Sequence, residues 1–392
     1  VETYKYLIAG GGMAADSAVR GIRKVDADGT IGLISQEEDA PYDRPPLSKG
    51  LWKGKELDTI WRKTAESGAT LHLGRRVTTI EPDARQVVDD RGDSYSYGRL
   101  LLATGARPRR LDKDGGAVTY FRTLSDYRML RALADQGKRF VVIGGGYIGS
   151  EVSAALAMNG LQVTLVFPEA GIGAKLFPSD LSGFITDYYS QKGVEVLKGR
   201  AVEAIISEGD ERVVILSGGR QLRADAVVAG LGVLPNTQLA VEAGLQVDNG
   251  IRVNASLQTS HPDIYAAGDV ANFENPDLGT RMRVEHEDNA NTMGEMAGRS
   301  MAGEAIQYTH LPFFYSDLFD LGYEAVGEVD PQMQMYADWT EPYRKGVVYY
   351  LDNGRVRGVL LWDVWSQVEA ARELIREQGP FTPQDLGGRL PR

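Results

Sequence analysis

The sequence predicts an α/β protein with two doubly wound parallel-strand units and a C-terminal α+β domain. Three observations predict it. Tyr6 to Ala18 reads YLIAGGGMAADSA, an apolar strand running into closely spaced glycines and then into helix-forming sequence. Val141 to Glu151 reads VVIGGGYIGSE and repeats that plan. Beyond Leu311 the texture changes to aromatic residues and alternating strands.

With 46 glycines in 392 residues, a lone GxGxxG spacing says little, so the flanking strand and helix carry the signal. In the first copy Tyr6 to Ala9 is the strand, Gly10, Gly12 and Ala15 are the small positions, and Ala14 to Ile22 is the helix. In the second, Phe140 to Ile143 is the strand, Gly144, Gly146 and Gly149 are the small positions, and the helix continues through Ala157. The first glycine makes the tight turn and the second lets a pyrophosphate approach the backbone. The third small residue lets helix and strand pack closely, with amide N–H groups facing the phosphates. Both units therefore read as Rossmann-like dinucleotide-binding domains.

The remaining elements follow in order. Thr30 to Ser35 is a second parallel strand, followed by the acidic, proline-rich stretch QEEDAPYDRPPLSKG. RLLLATGARP, near Leu100, is a strand ending in a glycine turn, and Gln162 to Glu169 is the second strand of the second unit. ADAVVAGLGVLPN supplies that unit's last strand, and DIYAAGDVANF is a further strand ending at Gly268-Asp269. GVVYYLDNGRVRGVLLWDV carries an Asp-Asn-Gly hairpin signal, and SQVEAARELIREQ has helical periodicity. The expected domains are 1–111 with 234–311, then 112–233, then 312–392.

Composition narrows the function. The chain has no cysteine, which excludes disulfides, thiolate metal sites and a redox-active CxxxxC pair. It also excludes a peroxidase or oxidase working through a cysteine sulfenate. A net charge of −11 argues against nucleic acid as a partner. With four histidines and no HExxH-like spacing, no metal site is expected. No run of eighteen apolar residues marks a membrane span, and Val1-Glu2 does not begin a signal segment. A cytoplasmic protein, monomer or homodimer, is the expectation.

RLLLATGARPR after the first unit, DIYAAGDVA after the second, and APYDRPPLSK between the first unit's strands occur in an informative order. Together they resemble the pyridine-nucleotide–disulfide reductase superfamily, flavoproteins with two dinucleotide domains. PYDRPPLSK, FPEAGIGAKL, MRVEHED and FFYSDLFDLGYEAVGEVD are similar to apoptosis-inducing factor and to bacterial oxygenase-type ferredoxin reductases. The resemblance covers essentially the whole chain. It implies FAD in the first fingerprint and NADH (NAD+) in the second, with the chemistry residing in the cofactors.

The residue roles that follow are those the resemblance implies. Gly10, Gly11, Gly12, Met13 and Ala14 line the FAD pyrophosphate. Gln36 stands where the family usually has a ribose-binding glutamate, with Glu37 or Glu38 as the alternative. Arg44, Pro45 and Lys49 belong to the flavin loop, Val77 meets the adenine, and Ala103, Thr104, Gly105 and Arg109 lie along the cofactor. Asp269 holds the ribityl chain; its ordinary alternative is a helix cap. Gly145, Gly146, Tyr147 and Ile148 form the coenzyme's pyrophosphate loop, with Glu169 on its ribose and Lys175 nearby.

Gly232 and Glu285 match further nicotinamide-side positions, and His286, beside Glu287, stands at the flavin edge. Outside that context His286 reads as a structural histidine. Tyr315 stands where the apoptosis factor has a tryptophan, and Glu324 matches a nicotinamide-contacting carboxylate or is an ordinary strand residue. Lys49 is expected to pair with Glu151 on the first turn of the second fingerprint's helix. Lys49, Glu151 and His286 are the candidate catalytic groups.

The implied reaction passes a hydride from NADH to FAD N5 and electrons onward to a ferredoxin, with rubredoxin, a quinone or oxygen as other acceptors. The alternative is a slow-turnover, redox-sensing flavoprotein whose reduction controls partner binding.

Overall fold

The computed structural model describes residues 1–390, which divide by contact into two compact units. The first comprises Val1–Arg44, Glu56–Arg107 and Leu234–Pro312. The second comprises Pro45–Lys55, Pro108–Val233 and Phe313–Arg392. The segment Pro45–Lys55 thus clusters with the second unit although its flanking strands belong to the first. The segments expected as separate domains at 112–233 and 312–392 share one unit.

The first unit is built on parallel strands in the order Ala69–Leu73, Ile31–Ser35, Glu2–Ala9, Ser94–Leu102 and Ile264–Ala266. Gln86–Asp89 and Val77–Glu81 extend the sheet in antiparallel fashion from the start of Ser94–Leu102. Buried on both faces, Tyr6–Ala9 and Ile31–Ser35 are continuous rather than alternating in burial. The helix Met13–Val25 follows the first strand directly and packs against Glu287–Met301. The helices approach closely because the crossing is lined by Gly21, Gly294 and Gly298; a Cβ at Gly298 would lie 2.1 Å from the Ala18 carbonyl oxygen.

The second unit repeats the parallel arrangement with Glu195–Lys198, Val163–Phe167, Phe140–Ile143, Ala226–Ala229 and Val118–Tyr120. A small antiparallel sheet, Val202–Glu208, Glu211–Leu216 and Gln221–Ala224, lies in the chain between Glu195–Lys198 and Ala226–Ala229. The C-terminal part is a five-stranded antiparallel sheet in the order Phe313–Leu318, Leu321–Gly327, Arg355–Trp362, Lys345–Asp352, Gln334–Glu341. The helix Val368–Arg376 packs on it. Its central hairpin turns through Asn353 and Gly354, both at positive φ, as an Asp-Asn-Gly sequence favours.

The differences from the expected elements are local. The first strand begins at Glu2, ahead of the apolar run, because it pairs with Tyr95 onward in Ser94–Leu102. The proline-rich stretch coils into 3-10 turns at Pro45–Leu47 and Gly50–Lys53. The strand expected to end at Gly268-Asp269 stops at Ala266, and Gly268–Val270 is itself a 3-10 turn.

Candidate cofactor-binding and redox site

Both glycine loops have the same geometry. Gly10 has φ +136° and Gly144 φ +110°, a region closed to most side chains, and added Cβ atoms would strike the carbonyls of Ala103 and Gly230. The N-cap glycines that follow are different. At Gly146 nothing lies within 4 Å of an added Cβ, and at Gly12 the only neighbour is Arg44 Nη2 at 3.8 Å. Neither Gly12 nor Gly146 caps its helix with a side chain. Each loop therefore presents open space beside the uncapped N-terminus of a 12- or 13-residue helix. That arrangement fits a pyrophosphate, because the first N–H groups of a helix have no partner within the helix and its N-terminal end is the positive one.

In the first unit several expected residues converge on Gly10–Ala14. Arg44 Nη2 lies 2.5 Å from Glu37 Oε1, Tyr42 Oη donates to Glu37 Oε2 at 2.6 Å, and Arg44 Nη1 donates to Tyr42 Oη at 3.0 Å. Burial opposes the Arg44 charge, but Glu37, Tyr42 and Asp269 outweigh it and raise the guanidinium above its ordinary value. Glu37 is thus engaged with Arg44, while Gln36 is exposed. Gly268, which precedes Asp269, abuts Ala14: an added Cβ would lie 2.9 Å from Ala14 Cβ. The turn carrying Asp269 therefore sits at the start of the first helix. Thr104 Oγ1 donates to the Asn236 carbonyl at 3.0 Å, and Asn236 Nδ2 returns a bond to the Thr104 carbonyl at 2.8 Å. This pair secures the Ala103-Thr104-Gly105 turn. Val77 is buried at the start of its strand. Glu285 pairs with Arg283 at 2.6 Å, and His286 is the N-cap of the helix that begins at Glu287.

In the second unit Gly173 N–H donates to the Gly145 carbonyl at 2.9 Å, tying the segment that carries Lys175 to the glycine loop. Lys175 Nζ lies 2.8 Å from Glu169 Oε1. The Arg109 N–H donates to the Gly232 carbonyl at 2.9 Å. Tyr147, at the first helical position, meets Phe314 edge-on at 5.4 Å.

The most buried charge in this unit is Glu151. It occupies the fifth position of the helix Tyr147–Met158, in its second turn rather than the first, within the buried run Gly149–Leu156. Only 4% exposed, it receives Lys49 Nζ at 2.7 Å, and Lys49 also lies 5.2 Å from the centre of the Tyr315 ring. Two hydroxyls not singled out in the sequence, those of Ser48 and Ser316, complete its shell. No local pattern marks them, because each meets Glu151 only through tertiary contact. Glu324 stands directly across the strand pair from Tyr315. Its Oε2 is buried without a hydrogen-bond partner, and burial raises its carboxyl above the ordinary range. Among the described residues no cluster of potential metal ligands occurs.

Residues 4–294 match the family model for pyridine nucleotide-disulphide oxidoreductases. The chain belongs to that family. Residues 332–377 of this oxidoreductase also match the C-terminal domain of mitochondrion-associated apoptosis-inducing factor. It is 35% identical to mitochondrial apoptosis-inducing factor 1 of Dictyostelium discoideum, over 96% of this chain and 79% of the relative. Identity is 34% to the ferredoxin–NAD(+) reductase component of the anthranilate 1,2-dioxygenase system of Burkholderia cepacia, covering 97% of this chain and 96% of that one. The structure superposes with a TM-score of 0.91 on the reductase of a covalent putidaredoxin reductase–putidaredoxin complex, at 31% identity, covering 98% and 95% of the two chains. The protein is accordingly a pyridine nucleotide-disulphide oxidoreductase of the ferredoxin reductase type.

Proposed function

We propose that this oxidoreductase is NADH-dependent and delivers its electrons to a small iron–sulfur protein of the ferredoxin type. The observation that carries the reading is the pair of strand–glycine–helix cradles, one in each unit, both opening on an uncapped helix N-terminus. Two such cradles suit one resident and one exchanging dinucleotide. In this reading 1–111 with 234–311 hold FAD, 112–233 hold the coenzyme, and 312–392 carry Tyr315 and Glu324. Bound FAD supplies the chemistry that links a two-electron hydride donor to one-electron acceptors.

The chain's own residues bind and orient. Gly10 to Ala14 place N–H groups against the FAD pyrophosphate, and Arg44 adds a cation that Glu37 and Tyr42 hold still. Asp269 accepts from a ribityl hydroxyl. Gly145 to Ile148 do for the coenzyme what the first loop does for FAD, and Glu169 accepts from its adenosine ribose. Lys49, at 13% exposure, keeps a positive charge in a largely water-excluded place, where it acts more strongly than in solution.

The ferredoxin-type acceptor is supported by the relatives, which include an oxygenase reductase component and putidaredoxin reductase. A second reading, a slowly turning redox sensor in the cytoplasm or another compartment, is favoured by the match of 332–377 to the apoptosis-factor C-terminal domain. Release of the flavin by mild denaturation tests the first step. FAD is the expected product, and recovery of FMN, or of no flavin after reconstitution, overturns the assignment.

A further inference from the structure

We infer that Ser316, together with Ser48, is a positioning residue for Lys49 and acts on it through Glu151. The inference rests on the reading above that the Lys49 charge acts on the flavin. Its basis is how the Glu151 carboxylate is held. Ser48 Oγ donates to Oε2 at 2.5 Å, whereas Lys49 Nζ and Ser316 Oγ both reach Oε1, at 2.7 and 2.6 Å. The three donors come from two distant stretches of chain. Ser48 and Lys49 lie in the Pro45–Lys55 segment, and Ser316 lies in the first strand of the C-terminal sheet.

A carboxylate this buried needs its lone pairs filled, and one ammonium does not fill them. With only Lys49 as partner, the carboxyl group could rotate and present either oxygen. Ser48 pins Oε2, which turns Oε1 toward Lys49. Ser316 then shares Oε1 with the ammonium and withdraws part of the acceptor strength that Lys49 would otherwise meet. The lysine is therefore fixed in place without being fully neutralised. Ser316 is wholly buried, so no water takes over its bond when the hydroxyl is removed. Its neighbour Tyr315 meets the same ammonium through its ring, so two consecutive residues of one strand bear on one charge.

The test uses the FAD-loaded protein and Ser316→Ala. Loss of one hydrogen bond to a charged group should slow single-turnover flavin reduction by NADH about tenfold. The flavin midpoint potential should fall, while the apparent affinity for NADH stays unchanged. The Glu151 carboxylate infrared band, identified as the one lost in Glu151→Gln, should shift. Ser48→Ala should act in the same direction and serves if Ser316→Ala fails to fold. In a Lys49→Ala background neither serine substitution should slow reduction further. Unchanged rate and potential in a folded Ser316→Ala or Ser48→Ala protein, with Lys49→Ala itself impaired, would overturn the inference alone. A serine effect that persists in full without Lys49 would overturn it too. Lys49→Ala with normal flavin reduction would overturn the reading of Lys49 and this inference with it.

Discussion

Glu169 follows the strand Val163–Phe167 of the second unit, and Lys175 Nζ lies 2.8 Å from its carboxylate. Which charge governs the choice of coenzyme depends on exposure. Lys175 is 82% exposed, so its pair with Glu169 is worth about 0–1 kcal/mol and is readily exchanged for water. Glu169 is 27% exposed and held near the strand end by a bond from the Gly199 N–H to its own carbonyl. On the proposed reading the carboxylate is therefore expected to dominate, since it would accept from two ribose hydroxyls and repel a 2′-phosphate. Repulsion together with lost hydrogen bonds costs on the order of 2–4 kcal/mol, or roughly thirty- to several-hundred-fold in kcat/KM. We expect NADH to be preferred over NADPH by that factor. Glu169→Ala should collapse the ratio and Lys175→Ala should raise it. Wild-type use of both coenzymes with equal efficiency, measured with one artificial acceptor, would falsify this role for Glu169.

Between elements, buried acids do the joining. Asp89 closes the turn between the strands Gln86–Asp89 and Ser94–Leu102, and its side chain is wholly buried. Burial opposes its ionisation. Arg75 at 2.7 Å, the amides of Arg91 and Asp93, and the Tyr95 hydroxyl outweigh that and hold the carboxyl down to about 2. A folded-state value below the ordinary 3.8 means that the contribution is fully present above about pH 4. It is lost as the pH falls toward 2. Asp89→Asn should lower the melting temperature at pH 7 by a few degrees and flatten the decline between pH 4 and 2. Parallel melting curves for the two proteins that keep a constant separation down to pH 2 would show that Asp89 is not the group responsible.

At the scale of the whole molecule, the two functional readings differ in turnover. A ferredoxin reductase re-oxidises its flavin rapidly on the right one-electron partner, whereas a redox sensor is reduced readily and then waits. The chain's net charge of −11 adds a constraint, because ferredoxins are usually acidic and docking must work against that overall repulsion. We expect steady-state NADH oxidation with a purified ferredoxin to exceed that with a quinone, and to change with ionic strength. Fast flavin reduction combined with negligible turnover on ferricyanide, a quinone and a ferredoxin would favour the sensor.

The sequence by itself determined the two glycine loops, the parallel-strand units around them and the antiparallel hairpin sheet at the end. These signals are local: a strand, a turn that only glycine can make, and a helix that starts where the turn ends. It also carried the Lys49–Glu151 pair, but only through likeness to a family, since nothing in the spacing of the two residues brings them together. Tertiary structure alone decided that Glu37 is engaged by Arg44 and Tyr42 while Gln36 faces outward, because that choice depends on which carboxylate the folded loop presents. It alone grouped Pro45–Lys55 with the second unit and brought Ser48 and Ser316 to one buried carboxylate. A buried charge takes its partners from whatever segments the fold delivers to it, and a serine gives no sign of that in its neighbours along the chain.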